Sequence, residues 1–225
     1  MKVLGIETST KVCSVGVADL RGISAESAAE DRHVHSDMIV SLIEQTMRAS
    51  GLALQELEAV AVSVGPGSFT GLRIGMSAAK GLCRALKLPL VAVPTFEAVA
   101  CAVFDAHRHE ERVMVAVDAK RDDLYITVFE KTGEACRPLG ETEIIPDAKL
   151  RAALGSTRLV CTDRVAMASE SPGEELVVLD LHRFVSGARV AVRGRARLLQ
   201  GLFSDVGTLE PLYLKDFVVR QPSRG

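Results

Sequence analysis

Four glycines fall within the run Gly65-Pro66-Gly67-Ser68-Phe69-Thr70-Gly71-Leu72-Arg73-Ile74-Gly75. The apolar, β-branched stretch 59–64 before it reads as a buried strand, and the stretch 76–86 after it reads as a helix. The run is therefore a glycine-rich turn from strand to helix. Gly65 and Gly67 permit positive φ, and Pro66 stiffens the bend. Amides at such a turn can hold a phosphate-like anion. They can equally hydrogen-bond a neighbouring segment, and the residues alone do not choose between the two. No Lys-Ser/Thr pair follows, so this is not a Walker A loop, and the Gly-x-Gly-x-x-Gly spacing is absent.

Other chemistry-bearing residues are sparse. His33, His35 and Asp37 lie close in sequence, either as metal ligands or as the polar start of a helix. Two His at i and i+4 would share a helical face, but His33 is followed four residues on by Asp37 and His35 by Ile39. No bound metal is expected. Neither a His-Glu-x-x-His nor a Gly-x-Ser-x-Gly signature occurs. Cys13, Cys83, Cys101, Cys136 and Cys161 are odd in number and show no Cys-x-x-Cys spacing. That argues for reduced thiols in a cytosolic protein, most of them small core residues. Arg189, Arg193, Arg195 and Arg197 lie on the last helix, where they read as an exposed basic face or as an RNA contact.

These residues need elements to hold them. Strands are expected at 3–6, 12–18 and 23–29, and a helix at 38–50 closed by Gly51. The strand and helix around the glycine run come next. A strand at 89–93 and a helix at 96–105, capped by Thr95, complete a first α/β unit. The charged stretch 107–112 is a boundary, giving a lobe at 1–108 and a smaller one at 109–225. Residues 113–129 then repeat the opening: apolar strand, polar turn, strand. The echo suggests a duplicated architecture. A short helix at 146–154, short strands at 158–161 and 176–179 and a helix at 185–202 follow, and a partly apolar tail at 210–215 is able to dock on the body.

The chain has 225 residues, 48% hydrophobic and 25% charged, enough for sizeable cores. A net charge of −2 gives no global field for nucleic acid or anionic membrane. No apolar run reaches the roughly 18 residues that would span a bilayer, and Met1-Lys2 leads straight into a strand without a signal peptide.

Taken together, Ile6-Glu7-Thr8-Ser9-Thr10, the glycine run, Val117-Asp118-Ala119-Lys120 and Pro211-Leu212-Tyr213-Leu214 resemble the bacterial TsaB (YeaZ) family over nearly the whole chain. The resemblance implies an α/β fold of two ribonuclease-H-like lobes, actin-like and sugar-kinase-like, with the second lobe reduced. It implies a non-catalytic subunit of the machinery that installs threonylcarbamoyladenosine at position 37 of tRNAs reading A-starting codons. The implied partners are a TsaD homologue as heterodimer, a TsaE-type ATPase and a TsaC-type threonylcarbamoyl-AMP synthase, with tRNA reached through the complex. No cofactor of its own is implied, with ATP or ADP at the complex interface. Glu7 stands where the family usually has Asp, so Glu7, Thr8, Ser9, Gly65, Gly67 and Ser68 read as a vestigial phosphate loop. The His pair of the catalytic paralogue, once grouped with metallopeptidases, is absent. The competing function is a stand-alone actin-fold ATPase or kinase.

Both helices of the first lobe flanking the central strand carry apolar arcs wider than one core stripe needs. They are expected to form the partner surface, through Met38, Leu42, Gln45, Leu72, Met76, Ala79 and Cys83. The same surface would give a homodimer when the partner is missing.

Overall fold

The computed structural model describes residues 1–30, 35–133, 135–166 and 176–214. Five strands form the first sheet: β1 (Val3–Glu7), β2 (Val12–Asp19), β3 (Gly22–Glu30), β4 (Ala59–Ser63) and β5 (Leu90–Val93). Their spatial order is β3-β2-β1-β4-β5, with β1, β2 and β3 antiparallel and β1, β4 and β5 parallel. Every residue of β1 and β4 is buried, so both faces of the sheet need covers. Helices α1 (His35–Ser50) and α2 (Phe69–Leu86) cover one face, packing Leu42, Ile43, Met47, Met76 and Ala79 on Leu4, Ile6, Val60 and Val62.

The other face is covered from the far end of the chain. Helix α5 (Gly187–Leu199) lies across β1, β2 and β4, with Val190 and Ala191 against Val3, Ala59 and Ala61. Contact is backbone to backbone. A Cβ on Gly5 or Gly16 would come within 3.0 Å of the α5 main chain. The glycines at 187 and 194, which look like interruptions in the sequence, are what let the helix sit so low.

The second sheet repeats the first. Strands β6 (Arg112–Lys120), β7 (Asp123–Thr132), β8 (Ala135–Pro138), β10 (Leu159–Thr162) and β11 (Val177–Asp180) take the order β8-β7-β6-β10-β11. Again three strands are antiparallel and three parallel about a central first strand. This matches the duplicated two-lobe architecture. Helix α4 (Leu150–Leu154) covers one face with Leu150 and Leu154 on Met114, Ala116 and Leu124. Helix α3 (Thr95–Ala106) covers the other with Phe96, Val99 and Val103 on Val113, Val115 and Phe129. β8 and β9 (Glu143–Pro146), both paired with β7, were not expected; four residues with a proline are too short to show alternation.

Two expectations are corrected first. Leu42, Leu72, Met76, Ala79 and Cys83 are between 0% and 4% exposed, and all but Leu72 belong to the first core cluster, because the apolar sheet face draws in the widest stripe of each helix. Only Gln45 of the expected partner residues is exposed, with Met38 half-buried. Thr95 is not a cap but the first residue of α3; its hydroxyl accepts from the Gly65 amide at 3.2 Å and its own amide donates to the Gly65 carbonyl at 2.9 Å. Of the two turn glycines that permit positive φ, Gly65 adopts it, at +108°. Gly67 is needed for space, since a Cβ there would strike Ser9.

The arginine row is corrected too. Arg193 and Arg197 both grip Glu97 of α3, with side chains 16% and 27% exposed, and Arg189 pairs with Asp105 of the same helix. These three cations brace α5 to α3, which leaves neither a bare basic face nor a free RNA contact in those residues.

Candidate functional site

Between the two sheets, the β1–β2 turn faces the β6–β7 turn across a cleft of about 710 Å³. One wall carries Ser9, Thr10, Gly67, Ser68 and Thr70; the other carries Asp118, Lys120, Arg121, Asp123 and Asp163. Leu212, Tyr213 and Leu214 close one side. The tail does dock there: the Leu212 amide donates to the Val64 carbonyl at 2.8 Å, and the Tyr213 ring stacks at 4.9 Å on Phe69. Lys215 lies outside the described residues.

On the first wall, the Ser68 side chain caps α2 by accepting from the Gly71 amide, and the Ser68 amide donates to the Ser9 carbonyl at 2.6 Å. Gly67, Gly71 and Gly75 each lack the Cβ that would strike Ser9 or Thr8. The glycine-rich run is therefore the seat of the β1–β2 turn. Ser9, Gly67 and Ser68 of the expected phosphate loop reach the cleft; Glu7, Thr8 and Gly65 do not. Glu7 is 1% exposed and accepts from the Ser9 amide at 2.5 Å. Burial pushes its carboxyl up, against the Ser9 bond and the nearby Ser63 hydroxyl that pull it down.

On the second wall, Asp118 accepts from the Lys120 amide at 2.8 Å and from Arg164 Nη2 at 2.7 Å, and pairs with Lys120 Nζ. Burial alone would raise it, but these bonds win and hold it at about 2. Its neighbour Asp163, which accepts from the Asp118 amide at 3.0 Å, is pushed the other way, by burial first and by the Asp118 charge as well. The turn that follows is costly. Lys120, Arg121 and Asp122 take φ of +64°, +58° and +59°, a left-handed run that disfavours each residue by roughly 1–2 kcal/mol. Asp118 on one side and the Asp147 amide, donating to the Asp122 carbonyl at 2.8 Å, on the other hold it in place.

The acid at 118 was visible in sequence as the echo of Glu7. Asp163 was missed; its signal is position, just beyond the end of β10, where Val64 follows β4 in the first sheet. Of the histidine cluster, His33 and the His35 side chain lie outside the described residues, and Asp37 is exposed at the start of α1. Among the described residues, no three His, Cys, Asp or Glu side chains converge as metal ligands. Among the same residues no helix is long and apolar enough to cross a membrane.

Residues 16–170 match the family model described as TsaD, tRNA N6-adenosine threonylcarbamoyltransferase. The tRNA threonylcarbamoyladenosine biosynthesis protein TsaB of Haemophilus influenzae is 34% identical over 127 residues, 56% of this chain and 53% of that one. The TsaB protein of Escherichia coli is 30% identical over 145 residues, 64% and 62% of the two chains. The chain thus spans about half to two thirds of the length of these curated relatives. In fold it resembles YeaZ from Pseudomonas aeruginosa, with a TM-score of 0.81 at 22% identity over 95% of this chain and 99% of that one. The ethanolamine utilization protein EutJ from Carboxydothermus hydrogenoformans superposes with a TM-score of 0.52 at 13% identity, over 85% and 89% of the chains. The match over 16–170 and the curated relatives together show that the chain belongs to the family described as TsaD, and within it to the TsaB (YeaZ) group.

Proposed function

We propose that this chain is a non-catalytic subunit in tRNA threonylcarbamoyladenosine synthesis. It acts in the cytoplasm as scaffold and activator of a catalytic TsaD homologue, which modifies adenosine 37 of tRNAs reading A-starting codons. The observation that carries the reading is the use of the phosphate-gripping parts. Glu7 is sealed beneath the turn and cannot reach a metal or phosphate in the cleft. The glycines after it seat the β1–β2 turn. What an actin-fold enzyme needs free for catalysis is here committed to holding the first lobe together.

The partner surface on this reading is the outward side of α1 and α2. Val40 is 60% exposed, Gly81 is exposed, and Ile74, Ala78 and Leu82 of α2 are half-buried against the edge of the first core. A second copy of the chain would use the same side when the partner is missing. A TsaE-type ATPase and a TsaC-type synthase join the assembly, with ATP or ADP at the shared interface.

Co-purification and sedimentation with the TsaD homologue of the same organism test this, with threonylcarbamoyladenosine in tRNA as readout. Val40→Glu with Leu82→Glu leaves the fold intact, abolishes association and lowers the modified nucleoside. Leu42→Glu with Met76→Glu unfolds the protein, since both residues are core. Association of the folded surface variant at wild-type affinity would sink the surface. The cleft's hydroxyls and cations favour the second reading, a stand-alone ATPase. Steady ATP turnover by the isolated chain, lost in Asp118→Ala, would establish that reading instead.

A further inference from the structure

Two of the five cysteines meet across an element boundary. Cys101 lies on α3 and is partly exposed; Cys136 lies on β8 and is 8% exposed. The Cys136 sulfur is 3.6 Å from the Glu97 carbonyl oxygen. Glu97 is one turn before Cys101 on α3, and in a helix residue 97's carbonyl accepts from residue 101's amide. The Cys136 sulfur therefore rests in the groove of α3 beside Cys101, both side chains packed against one apolar cluster. Both helix and strand are fixed there by a shared core of Phe96, Val99, Ala100 and Phe129. Cys13, Cys83 and Cys161 are buried.

We propose that Cys101 and Cys136 are a reversible dithiol–disulfide site that staples α3 to β8, with Cys101 as the attacking thiol and Cys136 as the resolving one. The oxidant is a low-molecular-weight disulfide such as oxidised glutathione. The Cys101 thiolate attacks one of its sulfurs, the S–S bond breaks, and one glutathione thiolate leaves. Cys136 then loses its proton to solvent and attacks the Cys101 sulfur, expelling the second glutathione thiolate. Two protein thiols are oxidised, one small disulfide is reduced to two thiols, and nothing else is consumed.

The order of attack follows from the surroundings. The Cys136 thiol, and then the Arg193 guanidinium, favour the Cys101 thiolate against the burial that opposes it, so Cys101 sits below an ordinary thiol. Cys136 is pushed up by the neighbouring Cys101 thiol and by burial. Burial pushes Cys13 and Cys83 up to about 11 and raises Cys161 as well, which leaves them inert.

The folded full-length chain is incubated in a glutathione redox buffer, alkylated and mapped without reduction. The expected product is lighter by two hydrogen atoms, has lost two of its five free thiols, carries a peptide linking Cys101 to Cys136, and reverts with dithiothreitol. Cys136→Ser is expected to stop at a glutathione adduct on Cys101, and Cys101→Ser to leave Cys136 free. Five intact thiols in the wild type, a link through Cys13, Cys83 or Cys161, or a lasting adduct on Cys101 beside a free Cys136 would each overturn the proposal. The wild-type map decides even where a variant fails to fold.

Discussion

The two sheets share one topology and hold their cleft-facing turns by opposite means. In the first, Gly67 and Gly71 let main chain rest on main chain, Gly75 leaves room for the Thr8 side chain, and the acid at the strand end is sealed. In the second, Gly133, Gly140 and Gly155 have open space around them. There the turn is held by charge: Asp118 with Lys120 and Arg164, and Arg164 with Asp147. Close packing is insensitive to salt and pH but intolerant of a single added methyl group. Charge pairing tolerates small steric change and responds to both salt and pH. The first wall is thus held by shape around one sealed acid, and the second by paired charge.

The sharpest break falls in the first sheet. Gly5→Ala drives a methyl group into the Gly187 carbonyl and the Ala191 amide, and neither the sheet nor α5 has a flexible side chain to yield there. We expect a loss of about 3 kcal/mol in urea unfolding, at the top of the usual overpacking range. A loss under about 1 kcal/mol would mean that α5 does not sit on the sheet backbone.

The brace between the halves comes next. Glu97 is 14% exposed and is the shared partner of Arg193 and Arg197. Glu97→Gln leaves two guanidinium groups short of a counter-charge. Fully buried pairs cost about 3–5 kcal/mol to break, and the partial exposure of these arginines brings the expected loss to about 2 kcal/mol. Thermal unfolding of the variant measures it.

How much of this was readable depends on the range of the interactions. The hairpin echo, the glycine turn and the order of strands in the first sheet rest on local patterns, and they were legible. The stripe of α2 that faces inward was not, because both stripes are apolar and only the position of the sheet decides. The pairing of Arg193 with Glu97 spans 96 residues and leaves no local trace. Asp163 was hidden for the same reason: its meaning comes from the neighbouring strand, not from Thr162 or Arg164 beside it in sequence.

The strand-end acids turn the comparison into a pH experiment. The Asp118 value falls from 3.8 to about 2, which bounds its contribution at about 2.5 kcal/mol; contact of its pairs with water trims this to about 1–2 kcal/mol. A lowered acid stabilises above its unfolded value, so the advantage of wild type over Asp118→Asn is full above pH 3.8 and vanishes as the pH falls through about 2. Glu7 is raised above 4.5, so its contribution is present below 4.5 and is lost as pH rises through its folded value. Glu7→Gln is therefore expected to gain on wild type as pH rises. Denaturation of both variants from pH 2 to 8 checks the opposite slopes; parallel slopes would erase the distinction between the walls.

The smallest effect sets a glycine of α2 against its neighbours on the same helix. Gly81 is exposed, helical, and has nothing within 4 Å of where its Cβ would be. Nothing among the described residues explains a residue that costs a helix interior about 1 kcal/mol relative to alanine. Gly81→Ala should therefore raise stability by about 0.5–1 kcal/mol, the reverse in sign of Gly71→Ala, which strikes the Thr8 carbonyl one face away. If the outward side of α2 receives a partner helix at close range, the same methyl group should weaken association while it stabilises the free chain. Thermal unfolding and sedimentation with the TsaD homologue read the two effects separately. A stabilised variant that associates as tightly as wild type would place the partner contact away from Gly81.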